Sequence, residues 1–260
     1  MTADLTLAIS AAKAAGAIIR DGYNQKKIIT KKGTGDYVTT IDMQAEQSIR
    51  ETLGTTDYSF LGEESGETRT LSTKKWVVDP LDGTSNFIRG IPFFAVSIGL
   101  IENERELKLG VVYDPLRDEC FWAQKGTGAF LNGERISVSG AKDFEDAVIL
   151  VEHGRSQLAI NTFVAAIKNL TPNGGAGIFR QGTTALMLCY VAKGSATAFL
   201  SCGDELYDFA AGLVIAKEAR ARVSDWRGHA WTRDSAYVLA SAPAVWAEVT
   251  RRVRDLQVSA

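Results

Sequence analysis

Two aspartates three residues apart, Asp79 and Asp82, give the clearest chemical signal in the sequence. The apolar run 76–78 before them predicts a buried strand, and Pro80 is expected to stop that strand from continuing in its hydrogen-bonded ladder. Both carboxylates would then lie at the end of a strand, where converging acids bind hard divalent cations. The small-residue segment 83–86 follows, and its backbone N–H groups could bind phosphate. This short stretch therefore indicates chemistry on a phosphate ester.

Two other interpretations of the motif stay open. Asp-Gly is common in turns and Asp-Pro often ends a strand, so the stretch could be a structural turn alone. The second is the phosphatase motif Asp-x-Asp-Gly-Thr, in which the first aspartate is a nucleophile and the second a general acid. There the acids are two residues apart, whereas Asp79 and Asp82 are three apart with Pro80 between them. The spacing favours metal ligation over a covalent aspartyl-phosphate.

The composition is that of an ordinary soluble globular protein. The 260 residues are enough for one large domain or two small ones, with a sizeable core. Hydrophobic residues make up 45% and charged residues 23%, and the formal net charge is −2. A chain this close to neutral lacks the basic surface that nucleic acids and anionic membranes select. We therefore expect neither nucleic acid nor a membrane among its partners.

Cysteine and histidine are too few for the sites usually built from them. The three cysteines form no metal-type pair, and Cys189 lies in an apolar run that predicts a buried, reduced thiol. With only His153 and His229, a histidine-rich zinc site or a Ser/His/Asp triad is not favoured. No stretch has the length of a membrane span, and the N-terminus has no leader pattern. The expected location is the cytoplasm.

Apolar residues recur with the spacing of helices in some segments and of strands in others. The predicted helices cover residues 4–23, 41–53, 156–169, 183–193, 205–221 and 243–256. The predicted strands cover residues 60–64, 76–78, 95–101, 107–113, 120–122, 147–151, 178–180, 195–200 and 236–241. Residues 26–35 are predicted to form a polar loop, and Asn132-Gly133 a two-residue hairpin turn.

These elements predict an α/β fold made of two unlike halves. Hairpin signals dominate residues 1–140, which predicts an α+β half with an antiparallel sheet. Strands alternate with helices in residues 141–260, which predicts an α/β half. The sequence contains no linker between them, so we expect the halves to pack as one compact unit.

Five motifs occur in one order along the chain. They are Thr-Ile-Asp at 40–42, Gly-Glu-Glu-Ser at 62–65, Asp-Pro-Leu-Asp-Gly-Thr-Ser-Asn-Phe at 79–87, Arg-Gln-Gly-Thr at 180–183 and Tyr-Asp-Phe-Ala-Ala-Gly at 207–212. In order and spacing, from about residue 5 to 245, the chain resembles the inositol monophosphatase family of metal-dependent sugar and polyol phosphatases. The resemblance implies a five-layer α-β-α-β-α sandwich with a magnesium cluster between its halves.

The resemblance also implies two or three Mg²⁺ ions and their ligands. One ion would be bound by Glu63, Asp79 and the backbone carbonyl of Leu81. A second would be bound by Asp79, Asp82 and Asp208. A third, weaker ion would lie near Glu63, with waters between them. Most of these ligands belong to the N-terminal half, and the C-terminal half would contribute Asp208 and the loops on the substrate side.

Catalytic and substrate-binding roles follow from the same resemblance. Asp42, Glu63 and Thr84 would be the catalytic residues, since Asp42 and Thr84 would orient the attacking water with help from Glu63. Gly182 and Thr183 would lie on the substrate side, although they could also simply begin a helix. The residues expected to face the phosphate or the rest of the substrate are Gly83, Thr84, Asp82, Gly182, Thr183 and Asp208.

Charge balance supports a metal site independently of the resemblance. Asp42, Glu63, Asp79, Asp82 and Asp208 are five acids, and a phosphomonoester adds about two more negative charges. Like charges this close cannot all stay ionised without compensation, which divalent cations supply. Mg²⁺ suits oxygen ligands and retained waters. A simpler role stays open for Asp42 and Asp208, because an acid in the first turn of a helix is stabilised by the helix dipole.

The chain departs from the family pattern in two places. Inositol-specific members carry a glutamate seven residues before the last metal-binding aspartate, where this chain has Ser201, with Asp204 and Glu205 in other registers. This leaves open whether inositol phosphate is the substrate. Residues 219–222 stand where a glycine pair is usual, and we expect that turn to be rebuilt, because other residues disfavour the left-handed helix end. Lys31 falls at a basic position that could approach the site.

The sequence thus predicts a Mg²⁺-dependent phosphomonoesterase that acts on a small polyol or sugar phosphate, through a metal-activated water and without a covalent intermediate. Alternatives within the family are fructose-1,6-bisphosphatase, histidinol-phosphatase and 3′(2′),5′-bisphosphate nucleotidase. An alternative of another class is a partner protein that binds metal or phosphate without turnover. The resemblance further implies lithium sensitivity and a homodimer.

Overall fold

Helices and sheets stack alternately and bury the apolar residues between them. The computed structural model describes residues 1–25, 28–33, 36–171 and 177–256, without the side chain of Asp36. The α-helices of the described residues are α1 (Ala3–Tyr23), α2 (Thr40–Leu53), α3 (Thr84–Arg89), α4 (Gln157–Leu170), α5 (Thr184–Ala192), α6 (Leu206–Glu218) and α7 (Trp246–Val253), followed by a 3₁₀ turn at Arg254–Leu256.

The larger sheet and a separate hairpin use the first part of the chain. The hairpin consists of β1 (Ile29–Gly33) and β2 (Asp36–Thr39). The strands of the larger sheet are β3 (Ser59–Gly62), β4 (Gly66–Thr68), β5 (Lys74–Asp82), β6 (Ala95–Glu102), β7 (Glu106–Asp114), β8 (Glu119–Gln124), β9 (Gly128–Leu131) and β10 (Glu134–Ile136). Their order is β10-β9-β8-β7-β6-β5-β3-β4, and only the β3–β5 pair of this sheet is parallel.

The smaller sheet is mixed. Its strands are β11 (Val148–His153), β12 (Gly177–Phe179), β13 (Ala198–Cys202), β14 (Arg222–Ser224) and β15 (Tyr237–Ser241), in the order β12-β11-β13-β15-β14. The first three strands in that order are parallel, and β15 runs antiparallel to both of its neighbours. Parallel strands need a crossover connection. Helix α4 connects β11 to its neighbour β12, and α5 connects β12 to β13 on the other side of β11.

The predicted five-layer sandwich is confirmed. Helices α1 and α2 pack on one face of the larger sheet, and α5 and α6 lie between the two sheets. Helices α4 and α7 cover the outer face of the smaller sheet. The layers therefore follow the order α-β-α-β-α. The division into halves at residue 140 stays a prediction.

The position of each helix in the stack explains its composition. Helices α5 and α6 are apolar on nearly every side, because a sheet covers them from both directions. Cys189 is buried in α5 as a free thiol, as predicted, and burial raises its pKa. Helix α1 faces the larger sheet with alanines, and a Cβ on its Gly16 would overlap the ring of Tyr113.

Every predicted helix and strand is present among the described residues, with ends shifted by a few positions. The predicted hairpin turn at Asn132-Gly133 is also confirmed, since Leu131 pairs with Glu134 across it. Asn132 has a φ of 49° and Gly133 of 89°, which are the left-handed values that a tight two-residue hairpin requires.

The prediction that Pro80 ends the ladder is wrong. Strand β5 pairs with β6 from Lys74 to Asp79, and pairing resumes where Asp82 lies opposite Ala95. The register shifts between Asp79 and Asp82, so Pro80 occupies an irregular stretch where its missing N–H removes no ladder bond. Both aspartates therefore belong to the strand, which holds them more rigidly than a loop would.

The prediction of a polar loop at 26–35 is wrong for its described residues 29–33, which form β1. β-Branched residues on both strands, such as Ile29 and Val38, favour this hairpin, whereas the lysines of the segment hide the strand pattern. Residues 26, 27, 34 and 35 lie outside the described residues.

The turn after α6 is not rebuilt, contrary to the prediction. Arg220 adopts the left-handed conformation with a φ of 73°. The Arg220 N–H donates to the Lys217 carbonyl (3.0 Å), and the Ala221 N–H donates to the Ala216 carbonyl (2.9 Å). These are the two hydrogen bonds of the glycine-ended helix terminus, formed here around an arginine.

We expect Arg220→Gly to raise the free energy of unfolding by about 0.5–1 kcal/mol, because glycine adopts the left-handed conformation without the Cβ clash. The matched variant Lys168→Gly places glycine at an exposed right-handed position in the last turn of α4. It should lower the free energy of unfolding by about 0.5–1 kcal/mol. Urea denaturation measures both. A loss of stability in Arg220→Gly would contradict the strain inferred at this turn.

Candidate active site

The two aspartates of the central motif are buried at the end of β5. Asp79 is 2% exposed and Asp82 is 7% exposed. The Leu81 N–H donates to Oδ1 of Asp79 (2.9 Å), and the Ala185 N–H donates to Oδ2 of Asp82 (2.7 Å). The side chain of Thr183 also hydrogen-bonds to Asp82. The start of α5 is therefore attached to the end of β5, although Asp82 and Ala185 are 103 residues apart.

The small-residue segment after β5 turns the chain into α3. Gly83 has a φ of 95°, and a Cβ there would lie 3.1 Å from the carbonyl oxygen of Phe93, so the position requires glycine. The N–H groups of Thr84 and Ser85 lie in the first turn of α3, where a helix offers them no acceptor. They are therefore available to an anion, and phosphate binding by Gly83 and Thr84 stays a prediction.

Asp42 and Thr84 contact each other. The Thr84 hydroxyl lies 3.0 Å from Oδ1 of Asp42 and 3.0 Å from the Leu81 carbonyl oxygen, so its single proton can be donated to either. Oδ2 of Asp42 accepts the N–H of Thr39 (2.9 Å) and its hydroxyl (2.5 Å) in a capping box at the start of α2. Burial raises the pKa of Asp42. This aspartate therefore caps a helix and also contacts the central motif.

Glu63 lies beside β5 in the turn after β3. Its N–H donates to the Val78 carbonyl (3.1 Å). Nζ of Lys32 lies 3.6 Å from Oε1 of Glu63 and 2.6 Å from Oε1 of Glu64. Lys32 is therefore a basic residue that approaches the site, and an approach by Lys31 stays a prediction.

Asp208 reaches the same region from the first turn of α6. Its Oδ2 accepts the Glu205 N–H (2.7 Å), which makes it part of a second capping box. Burial raises the pKa of Asp208, and the charges of Asp204 and Asp82 raise it further. Like Asp42, this aspartate combines a capping position with proximity to other acids.

Asp79, Asp82 and Asp208 have raised pKa values, and the charge of Glu63 contributes to the shift of all three. Burial raises the pKa of Asp79 well above its usual range, and the charges of Glu63, Asp82 and Asp208 raise it further. Burial raises the pKa of Asp82 to about 7, with contributions from the charges of Glu152 and Glu63. These shifts indicate that negative charge is concentrated and buried here. The fold thus brings together four acids from three distant segments.

These side chains have the donor atoms that a divalent cation needs, but they are not yet arranged around one ion. Within the described part of the chain, no three His, Cys, Asp or Glu side chains are placed ready to hold one ion. The donors are nevertheless all oxygen atoms, as Mg²⁺ prefers, and their mutual repulsion is what a divalent cation relieves. The residues fit Mg²⁺ in donor type and charge, and binding would have to complete the ligand geometry.

The segment 180–183 is held against the central motif. Nδ2 of Asn86 donates to the carbonyl oxygens of Gln181 (2.7 Å) and Phe93 (2.8 Å). Gly182 has a φ of 76°, and a Cβ there would lie 3.3 Å from the same Asn86 nitrogen. Thr183 accepts the Leu186 N–H (3.1 Å) and so begins α5. Both Gly182 and Thr183 therefore lie beside the acids, as their predicted substrate-side role requires.

Polar residues that are not among the predicted site residues lie next to one another near the start of α5. The Ser201 hydroxyl donates to Asp204, and the Thr184 hydroxyl lies 3.4 Å from the same carboxylate. Across the sheet, Ser201 pairs with Glu152, whose Oε1 accepts the Nε–H of Arg180 (2.6 Å). Asp204 thus stands next to the position that the family's glutamate would occupy. Its position three residues after Ser201 was the available signal in the sequence.

Two buried acceptors near these residues have no hydrogen-bond donor. Oε2 of Glu152 and Oε1 of Gln181 are shielded from solvent and unpartnered within the described residues. Glu152 is 7% exposed, so its free oxygen is costly unless a ligand or water donates to it. The sequence offered a weak signal for Glu152, which is an acid near the end of a predicted strand.

Comparison with known proteins decides the family. The pattern that defines the Inositol monophosphatase family matches residues 2–258. The chain belongs to the inositol monophosphatase family. Members of this family are phosphatases that generally depend on Mg²⁺, in agreement with the oxygen-rich donor set described above. The predicted resemblance is therefore confirmed, and the ion number stays a prediction.

Family members of different names match the chain over nearly its whole length. Nus factor SuhB of Pasteurella multocida is 36% identical over 255 residues, which cover 96% of this chain and 95% of the relative. The extragenic suppressor protein SuhB of Bartonella henselae has a TM-score of 0.91 and 34% identity, and covers 97% of this chain and 99% of its own. The IMPase of Thermotoga maritima has a TM-score of 0.88 and 30% identity, with 98% of each chain covered. These names leave the substrate open.

The described helices were also compared with the requirements of a membrane span. None of them is both long and apolar enough to cross a bilayer.

Proposed function

We propose that this family member is a Mg²⁺-dependent phosphomonoesterase that hydrolyses a small polyol or sugar phosphate. The observation that supports it most is the burial of Asp79, Asp82 and Asp208, whose pKa values are raised by burial and by the charges of neighbouring acids, including Glu63. Concentrated negative charge of this kind would repel a phosphate ester unless cations are bound between them. The metal ligands would be Glu63, Asp79, the Leu81 carbonyl, Asp82 and Asp208.

The protein's own groups would bind the phosphate and orient a water. The N–H groups of Gly83 and Thr84 would donate to the phosphate oxygens. When the Thr84 hydroxyl donates to Asp42, the lone pairs of its oxygen would be left to accept a hydrogen bond from the attacking water. Glu63 would help to orient that water. Mg²⁺, when bound, would supply positive charge opposite the phosphate and the leaving oxygen. No covalent intermediate is required.

The polyol part of the proposal is supported by the unpartnered acceptors. Oε2 of Glu152 and Oε1 of Gln181 need donors, which substrate hydroxyls possess and phosphate oxygens do not. Ser201 takes the place of the family's substrate-contacting glutamate, and Asp204 next to it is a further acceptor. A substrate with several hydroxyl groups beside its phosphate would satisfy these atoms. Fructose bisphosphate, histidinol phosphate and bisphosphorylated nucleotides stay alternatives to inositol phosphate.

Glu152→Gln should raise the KM for the polyol phosphate by about tenfold, because a hydrogen bond to a charged acceptor is replaced by a weaker one. The kcat/KM for p-nitrophenyl phosphate, which has no hydroxyl groups, should change less than about twofold. The matched variant Glu119→Gln, whose carboxylate pairs with Lys193, should leave both substrates unaffected. Equal losses on the two substrates would show that Glu152 acts on the metal site and not on hydroxyl recognition.

Phosphate release tests the proposal as a whole. We expect Mg²⁺-dependent release from at least one of inositol phosphate, fructose 1,6-bisphosphate, histidinol phosphate and 3′-phosphoadenosine 5′-phosphate. A second candidate, a metal- or phosphate-binding partner protein without turnover, is favoured by the name Nus factor that the Pasteurella multocida relative carries. Release from none of the four, by folded protein with Mg²⁺, would reject the phosphatase proposal and support that candidate. Lithium inhibition, a homodimer, a cytoplasmic location and the absence of nucleic-acid partners stay predictions.

A further inference from the structure

A cavity of about 280 Å³ lies near the end of α6 opposite the acidic cluster. Leu107 of β7, Val214 of α6 and Trp231 contribute apolar surface to its wall. Lys217, which also lines it, is nine residues beyond Asp208 on α6, or roughly 13 Å along the helix axis. The cavity is therefore separate from the predicted metal site.

Cations outnumber acids around this cavity. The charged side chains that line it are Arg105, Glu106, Lys125, Lys217 and Glu218. Both acids are already engaged. The Glu218 carboxylate accepts the N–H groups of Gly126 (2.8 Å) and Gly128 (2.7 Å), and the Glu106 carboxylate forms an ion pair with Lys125. With three cations and two acids, the lining therefore has a formal net charge of +1.

Arg105 and Lys217 have no carboxylate partner among the residues that the structure describes. Nζ of Lys217 lies 5.6 Å from the centroid of the Trp231 ring, so the ammonium group is held over an aromatic face. Burial lowers the pKa of Lys217, and the nearby charge of Lys125 lowers it further. A partly buried ammonium group such as that of Lys217 is stabilised when an anion lies beside it, and Arg105 contributes a second cation to the same lining.

We infer that the cavity binds a small aromatic carboxylate, and that this site is independent of the proposed phosphatase activity. The flat apolar body would pack against Leu107, Val214 and Trp231, and the carboxylate would accept hydrogen bonds from Arg105 and Lys217. Ligand pockets usually measure about 300–1,000 Å³, so this cavity suits a ligand at the small end of that range. Apolar walls with a few convergent polar groups are also the usual composition of such pockets.

Titration with 2-naphthoate, followed by ¹H–¹⁵N NMR on the full chain, tests the inference. EDTA keeps the acidic cluster free of metal, so that this cluster repels the carboxylate. We expect saturable shifts of the signals from residues 105–107 and 214–218 and of the Trp231 indole. Lys217→Met should raise the dissociation constant for 2-naphthoate about fivefold or more. Lys168→Met, which removes an exposed lysine from the last turn of another helix, should leave it unchanged.

Three results would overturn the inference. The first is the absence of saturable shifts in the parent protein. The second is an equal effect of Lys217→Met and Lys168→Met, which would indicate an adventitious charge interaction. The third is a set of shifts centred on residues 79–84 and not on the cavity. The neutral analogue 2-naphthalenemethanol should bind more weakly than 2-naphthoate, and equal affinity would contradict the role given to the cations.

Discussion

Asp82→Asn should reduce Mg²⁺-dependent phosphate release on the order of 10³-fold while the chain stays folded. The charge of Asp82 raises the pKa of both Asp79 and Asp208, and the variant would remove a proposed metal ligand and its charge together. Its amide can still accept the Ala185 N–H through the carbonyl oxygen, which preserves the attachment of α5 to β5. The loss should therefore appear in kcat and in Mg²⁺ affinity, and circular dichroism should show that the variant stays folded under the assay conditions.

The control for this variant is Asp225→Asn, which makes the same substitution at a carboxylate with the same 7% exposure. Asp225 accepts the His229 N–H in the segment after β14 and has no predicted role in the site. The activity of Asp225→Asn should stay within about threefold of the parent activity, because this position contacts no reacting group. An Asp82→Asn protein that keeps more than about a tenth of the parent turnover would show that the metal-ligand role is wrong.

Mg²⁺ should stabilise the protein strongly at about pH 8 and only weakly at about pH 5.5. In the metal-free fold, the pKa of Asp82 is about 7 against an ordinary value of 3.8, and the pKa values of Asp79 and Asp208 are raised as well. The folded state therefore binds protons that the unfolded chain has released, and stability falls as the pH rises from about 4 to 7. For Asp82 alone this loss is roughly 4 kcal/mol at most. Mg²⁺ bound by the ionised carboxylates would reverse this loss.

Thermal unfolding with EDTA or with about 10 mM Mg²⁺ measures this effect, and we expect a rise in Tm of about 5 °C or more at the higher pH. NaCl of equal ionic strength controls for general screening. Asp82→Asn should be more stable than the parent at about pH 8 without metal, because one repelling charge is gone, and it should respond less to Mg²⁺. A rise in Tm that is the same at both pH values would contradict the link between the acids and the metal.

The sequence predicted the parts of the site that are local in the chain. The spacing of Asp79 and Asp82, the glycine after them and the apolar strand before them all belong to one short motif, and local patterns determine such features. The family motifs added Asp42, Glu63 and Asp208. For Asp42 and Asp208, the structure shows that capping a helix and facing the site are compatible, so the simpler interpretation did not compete with the functional one.

Contacts between distant residues could not be predicted from local patterns. The pair of Glu152 with Arg180 depends on the parallel pairing of β11 with β12 and β13, which no residue spacing reveals. The approach of Lys32 to Glu63 and Glu64 is a second such contact, because it joins the β1–β2 hairpin to the turn after β3. Arg220 contradicts its local preference because hydrogen bonds at the end of α6 outweigh the cost of its conformation. The first two cases depend on tertiary contacts, whereas Arg220 is explained by local hydrogen bonds at the helix end.

The most direct measurement is a crystal structure with Mn²⁺ in place of Mg²⁺, recorded at the manganese absorption edge. The account predicts an anomalous peak at about 2.0–2.3 Å from carboxylate oxygens of Asp79, Asp82 and Asp208, and a second peak that Asp79 shares with Glu63. Side-chain rotations on the existing backbone should be enough to form both sites. Fully occupied manganese found elsewhere, with these four carboxylates still apart and no peak between them, would contradict it.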